Sequence, residues 1–62
     1  MPNFEKWIQD NLGLIEFYSS WYGDSIYVFT IYNFDDFYAK LHSDYPNYDC
    51  KQVGTFALVA IM

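Results

Sequence analysis

Apolar and polar positions alternate along this chain with two different periods. Near the start, Phe4, Trp7, Ile8 and Leu12 recur at helical spacing, with Glu5, Lys6, Gln9 and Asp10 between them. That pattern predicts an amphipathic helix from Phe4 to Leu12. Asn3 is placed to cap it, Pro2 suits the position before a helix start, and Gly13 suits its stop. A helix this short does not hold alone in water, so its aromatic stripe must dock on something. From Leu14 to Tyr22 the residues become β-formers: Leu14, Ile15, Phe17, Tyr18, Trp21 and Tyr22. Gly23-Asp24 reads as a two-residue hairpin turn, and Ser25 to Tyr32 is the strongest strand pattern in the chain.

With Gly23 and Asp24 as the loop, Tyr22 faces Ser25 and the register follows. One hairpin face then carries Ile15, Phe17, Trp21, Ile26, Val28 and Tyr32. The other carries Leu14, Glu16, Tyr18, Tyr22, Tyr27, Phe29 and Ile31. Neither face is polar, whereas a half-exposed hairpin shows a polar side. Both faces want cover, and a domain of this size has helices enough for one.

Asn33 opens a second predicted helix. Asp36 takes the capping-box position, and Asp35 and Asp36 suit the positive end of the helix dipole. Phe34, Phe37, Tyr38 and Leu41 mark its apolar side, and Pro46 limits its extent. Residues 45 to 54 read as a loop. Thr55 to Met62 reads as a final strand without a charged side chain, buried on both faces inside a sheet or across a dimer seam. The expected fold is α+β, a three-stranded antiparallel sheet with helices in the order α-β-β-α-β. The last strand lies beside the first, and residues 1–62 form a single domain that dimerises.

Composition sharpens this picture. The chain has 62 residues, of which 53% are apolar and 24% aromatic: seven Tyr, six Phe and two Trp. That excludes a disordered tail and leaves room for one domain only. One Cys and one His exclude an internal disulfide and argue against a structural zinc site. With neither staple, oligomerisation is the usual source of extra buried surface. The first residues lack the features of a signal peptide, and the longest apolar run, Phe56 to Met62, is too short to span a bilayer. A soluble intracellular protein is expected. Eight acids stand against three lysines and no Arg, for a net charge of −5, which rules out a basic nucleic-acid binder.

Catalytic chemistry is sparse. His42 is the one imidazole and reads as a helix-end or surface residue. Cys50 sits in an acidic segment that raises a thiol pKa. Asp35 and Asp36 are adjacent and point apart on a helix, so they form no dyad. There is no phosphate loop and no metal-ligand spacing. No enzyme activity, cofactor or metal is expected.

Two features do point to function. Glu16, Asp24, Asp35, Asp36, Asp44 and Asp49 spread negative charge through the hairpin, the second helix and the segment after it. Carboxylates in such numbers often do no more than solvate a surface, and they also suit competition for a cationic site. The aromatic content exceeds what a core this small can enclose, so some rings mark interfaces. Acid plus exposed aromatic surface is what a nucleic-acid mimic needs.

The segment Asn33-Phe34-Asp35-Asp36-Phe37-Tyr38-Ala39-Lys40-Leu41, after a hairpin and before a terminal strand, resembles the small phage-encoded inhibitors of uracil-DNA glycosylase of the Bacillus-phage type. The similarity covers roughly residues 14–62. The chain departs from the family in its N-terminal helix, Phe4 to Leu12. The resemblance implies a homodimeric DNA mimic in the cytoplasm of an infected bacterial host. Asp36-Phe37 matches the family's acid-Phe pair. Phe37, with Tyr38 and Leu41, would capture the enzyme's DNA-inserting Leu. Asp35, Asp36, Asp24 and Glu16 would meet its phosphate-binding surface. The implied partner is a DNA-handling enzyme, with no direct nucleic-acid or membrane contact. Two other readings stand beside it: another host-directed inhibitor such as an anti-CRISPR, and a plain dimerisation module.

Overall fold

The computed structural model describes residues 3–23 and 25–62, so the expectations on Pro2 and Asp24 lie outside the described residues. The chain is a small α+β fold of two helices and one four-stranded antiparallel sheet. Its elements are α1 (Phe4–Asp10), a 3-10 turn (Leu12–Leu14), β1 (Ile15–Trp21), β2 (Ile26–Ile31), α2 (Phe34–Asp44), β3 (Asp49–Val53) and β4 (Phe56–Ala60).

Both helices start as the sequence predicts. The Asn3 side chain accepts from the Lys6 backbone N–H at 3.1 Å, and Asn33 accepts from that of Asp36 at 3.0 Å. The end of α1 differs. It stops at Asp10 rather than Leu12, and Asn11, not Gly13, ends it. The Asn11 backbone N–H donates to the Ile8 carbonyl, and its side-chain amide donates to the Trp7 carbonyl at 2.7 Å. These bonds satisfy carbonyls that the last turn leaves without partners.

The sheet corrects the expected topology. It has four strands in the order β1-β2-β4-β3, and the last strand lies beside β2, not beside β1. The extra strand, β3, falls in residues 45–54, read from the sequence as loop. Asp49, Lys51 and Gln52 are weak strand formers, and pairing with β4 overrides their propensity. The polarity of the strands accounts for the order. Charge-free β4 takes a central slot, while β3, with Asp49 and Lys51, and β1, with Glu16 and two serines, take the edges. Polar and charged residues on an edge discourage pairing with another chain.

The core forms between the helices and one sheet face. Phe4, Trp7 and Ile8 of α1 and Phe37 and Leu41 of α2 are buried with Ile15, Tyr27, Phe29, Ala57 and Val59 of the strands. Phe29 sits at its centre, with Phe37 at 4.9 Å and Phe4 at 6.2 Å between ring centroids. Trp7 meets Phe37 edge-on at 5.8 Å and so joins the two helices. Its indole N–H also donates to the Asp44 carboxylate at 2.7 Å, tying α1 to the last turn of α2. That bond chiefly holds the Asp44 carboxyl below the ordinary carboxylate range. Burial opposes it, and the hydrogen bond and charge of Lys40 assist it.

Two stability predictions follow. Asp44 has a lower pKa folded than unfolded, so its contribution is full above the ordinary Asp value and is lost as pH falls through the folded one. Thermal melts from about pH 5 down to about pH 2 should therefore show a smaller acid-dependent loss for Asp44→Asn than for the unmodified chain. Gly54 opens the β3–β4 turn at φ 60°, and nothing lies within 4 Å of where its Cβ would be. Gly54→Ala should cost about 1–2 kcal/mol from backbone strain alone. Gly13, equally unhindered and without a positive φ, should accept Ala with no such loss in the same denaturant titration.

Candidate functional site: the open face of the sheet

The two helices cover one side of the sheet, and strand parity puts the remaining side chains on the other. The pairings set them in three rows across β1, β2, β4 and β3. The rows are Trp21-Ile26-Ala60-Asp49, Ser19-Val28-Leu58-Lys51 and Phe17-Thr30-Phe56-Val53. Most of these positions are apolar. Phe17 is 69% exposed, Trp21 57%, Phe56 48% and Val53 47%. Trp21, Val28, Val53, Phe56 and Leu58 line an open hollow of about 350 Å³ with no polar side chain in its wall. Four strands by three rows cover roughly 400 Å² in projection at ordinary sheet spacings. Eight of those twelve positions are apolar, and a contiguous apolar patch marks an interaction surface more often than scattered exposure does.

The hairpin register is the one read from the sequence, with Trp21 opposite Ile26. Phe17, Trp21, Ile26 and Val28 accordingly share a face. Ile15 does not join them. A bulge between Ile15 and Phe17 shifts the pairing by one residue and turns Ile15 into the core. Tyr32 lies past the end of β2 and is exposed. The last strand is also corrected. It is central in the sheet, but Phe56 is on the open side and only Ala57 and Val59 are fully buried.

The sequence-derived contact set does not assemble on one surface. Phe37 is 0% exposed and Leu41 1%, both packed in the core, so neither is presented to a partner. The aromatic stripe of α2 is satisfied by Phe29 and Trp7, which a single-helix pattern cannot reveal. Tyr38 is exposed and belongs to a ladder along α2, 5.7 Å from Phe34 and stacked on His42 at 5.4 Å. Asp35 and Asp36 are exposed in the first turn of α2. Glu16 is exposed at the β1 bulge. Ile15 pairs with Ile31, three residues before α2, so Glu16, Asp35 and Asp36 lie toward the same end of the molecule. Asp24 lies outside the described residues.

Cys50 is part-buried on β3, where burial first and the Asp49 charge second push its thiol up to about 11. It stays protonated at neutral pH and is a poor nucleophile. Among the described residues, no group of three His, Cys, Asp or Glu side chains could hold a metal ion, and no helix is long and apolar enough to cross a membrane. Sequence reasoning missed Phe56, Leu58 and Val53 as surface residues. The hairpin's lack of a polar face was the available signal, and the parity of β3 and β4 was the missing piece.

Burial divides these aromatics by their mutational cost. Phe37→Ala should destabilise the fold by about 3–5 kcal/mol in urea titrations. Phe56→Ser and Trp21→Ser, on the open face, should each change stability by less than about 1 kcal/mol. No family model, curated protein or solved structure matches this chain.

Proposed function

We propose that this chain is a protein-binding inhibitor that docks through the open face of its sheet. Its target is a DNA-handling enzyme with a cationic cleft, uracil-DNA glycosylase being the first candidate. The observation that carries this reading is the hollow between Trp21, Val28, Val53, Phe56 and Leu58. An enzyme that probes DNA with an inserted apolar side chain carries a knob of the right chemistry for it. The hollow takes the role that the family resemblance assigned to Phe37, which the core has claimed. Glu16, Asp35 and Asp36 stand toward one end of the same molecule, and a net charge of −5 draws the protein to a surface built for phosphates.

Self-association over the same face is the second reading, favoured by the wholly apolar wall of the hollow. Face-to-face sheet packing at about 10 Å would cover it in both copies. The two readings separate in solution.

Titrating the protein into uracil-DNA glycosylase acting on uracil-containing DNA should give stoichiometric inhibition that is relieved by salt. Trp21→Ser should weaken inhibition by at least about tenfold, as expected when a central aromatic anchor is lost. Absence of inhibition at micromolar excess would remove that target. Sedimentation equilibrium then decides the second reading: a dimer dissociated by Phe56→Asp supports self-association, and a monomer at all concentrations overturns it.

A further inference from the structure

A second concavity lies on the helix side of the sheet. It is a groove of about 1010 Å³ between the start of α1, the end of α2 and the loop that follows it. Four rings and two carboxylates carry its chemistry: Phe4, Tyr27, Tyr45 and Tyr48, with Glu5 and Asp44. No Lys, Arg or His is among its described lining residues.

The rings are mutually ordered. Tyr45 and Tyr48 stack at 4.6 Å with 13° between their planes. Phe4 meets them nearly edge-on at 5.5 and 5.4 Å, and meets Tyr27 edge-on at 4.9 Å. Phe4 and Tyr27 are buried and fixed by the core, whereas Tyr45 and Tyr48 are part-exposed. The Asp44 carboxylate is also fixed, by the Trp7 indole at 2.7 Å and Lys40 at 3.3 Å. Burial and the neighbouring Tyr45 push the Tyr48 hydroxyl upward, so the phenol stays neutral at physiological pH.

Aromatic faces attract cations through their quadrupole, and the exposed Glu5 carboxylate beside them adds direct charge attraction, whereas Asp44 is already paired with Lys40. A planar, weakly hydrated guanidinium suits stacking on rings better than a compact, strongly hydrated ammonium. The groove is much larger than one guanidinium and is open, which fits a chain segment carrying the cation rather than a small free ion. We propose that this groove binds an arginine side chain presented by an extended basic segment of a partner protein. The site lies on the other side of the sheet from the open apolar face and is independent of it.

The test uses the full chain with carbon-13-labelled tyrosine rings, titrated with a blocked Gly-Arg-Gly-Arg-Gly peptide and followed by NMR. A matched peptide with citrulline in place of Arg keeps the shape and removes the charge. Saturable shifts of the Tyr45 and Tyr48 ring signals are expected with the Arg peptide, with binding at least about fivefold weaker for citrulline. Glu5→Gln should weaken Arg binding by about threefold or more, since it removes a charge without removing a ring. Tyr48→Leu keeps an apolar contact with Phe4, and should lose the response while its thermal melt still shows a cooperative fold. Trp21→Ser, on the open face, should bind the Arg peptide as the unmodified chain does. Equal affinity for the Arg and citrulline peptides, or no ring shifts at millimolar peptide, would overturn the proposal.

Discussion

The enclosure of Phe29 by Phe4 and Phe37 is the interaction on which the rest of this molecule depends. It brings a seven-residue and an eleven-residue helix onto one face of the sheet. Neither helix is long enough to be stable alone, so each exists because the sheet gives its aromatic stripe a place to pack. Trp7 closes the arrangement by touching Phe37 with its ring and Asp44 with its indole N–H. Helix placement and sheet face are thus settled by one shared core, in which edge-to-face and stacked rings pack beside Ile8, Ile15, Leu41, Ala57 and Val59.

That economy leaves the other face of the sheet uncovered. Two short helices span a four-stranded sheet once, and the chain still places Phe17, Trp21, Val28, Phe56 and Leu58 on the far side. Solvating such a face gains nothing for the monomer, which is why the proposed function places a partner on it. The acids do not crowd onto this face. Asp49 and Lys51 share its β3 edge, and the other described acids sit on helices or at the bulge. Apolar adhesion and long-range charge are therefore separated in space. In the proposed binding mode, the charge would orient an approach and the open face would hold what arrives.

Two of the three lysines are spent within the chain, Lys6 on Asp10 and Lys40 on Asp44. Both pairs span one helical turn at the surface, where such pairs contribute little stability. Their consequence is local. Lys40 meets one of the two acids that line the groove beside Tyr45 and Tyr48, and among the described residues the other, Glu5, has no lysine paired with it.

What the sequence by itself determined was local and periodic. Both helix starts follow from Asn3 and Asn33, because an N-cap is a contact between a side chain and a backbone N–H three residues on. The hairpin register from Phe17 to Trp21 follows from the turn signal at Gly23 and the strand patterns beside it, whereas the left-handed Tyr22 after β1 and the bulge before Phe17 were not legible there. The excess of apolar surface over available cover was legible in the same hairpin. The fate of Phe37 was decided by the tertiary structure alone. Its place on α2 is periodic, but whether that stripe meets solvent, a partner or Phe29 depends on where the sheet lies. The strand status of residues 49–53 was decided there as well. Asp49, Cys50, Lys51 and Gln52 become a strand because β4 offers them backbone partners, not because their side chains ask for one. Short-range hydrogen bonds can be read along a chain; burial is shared among segments far apart in sequence, and no single segment encodes it.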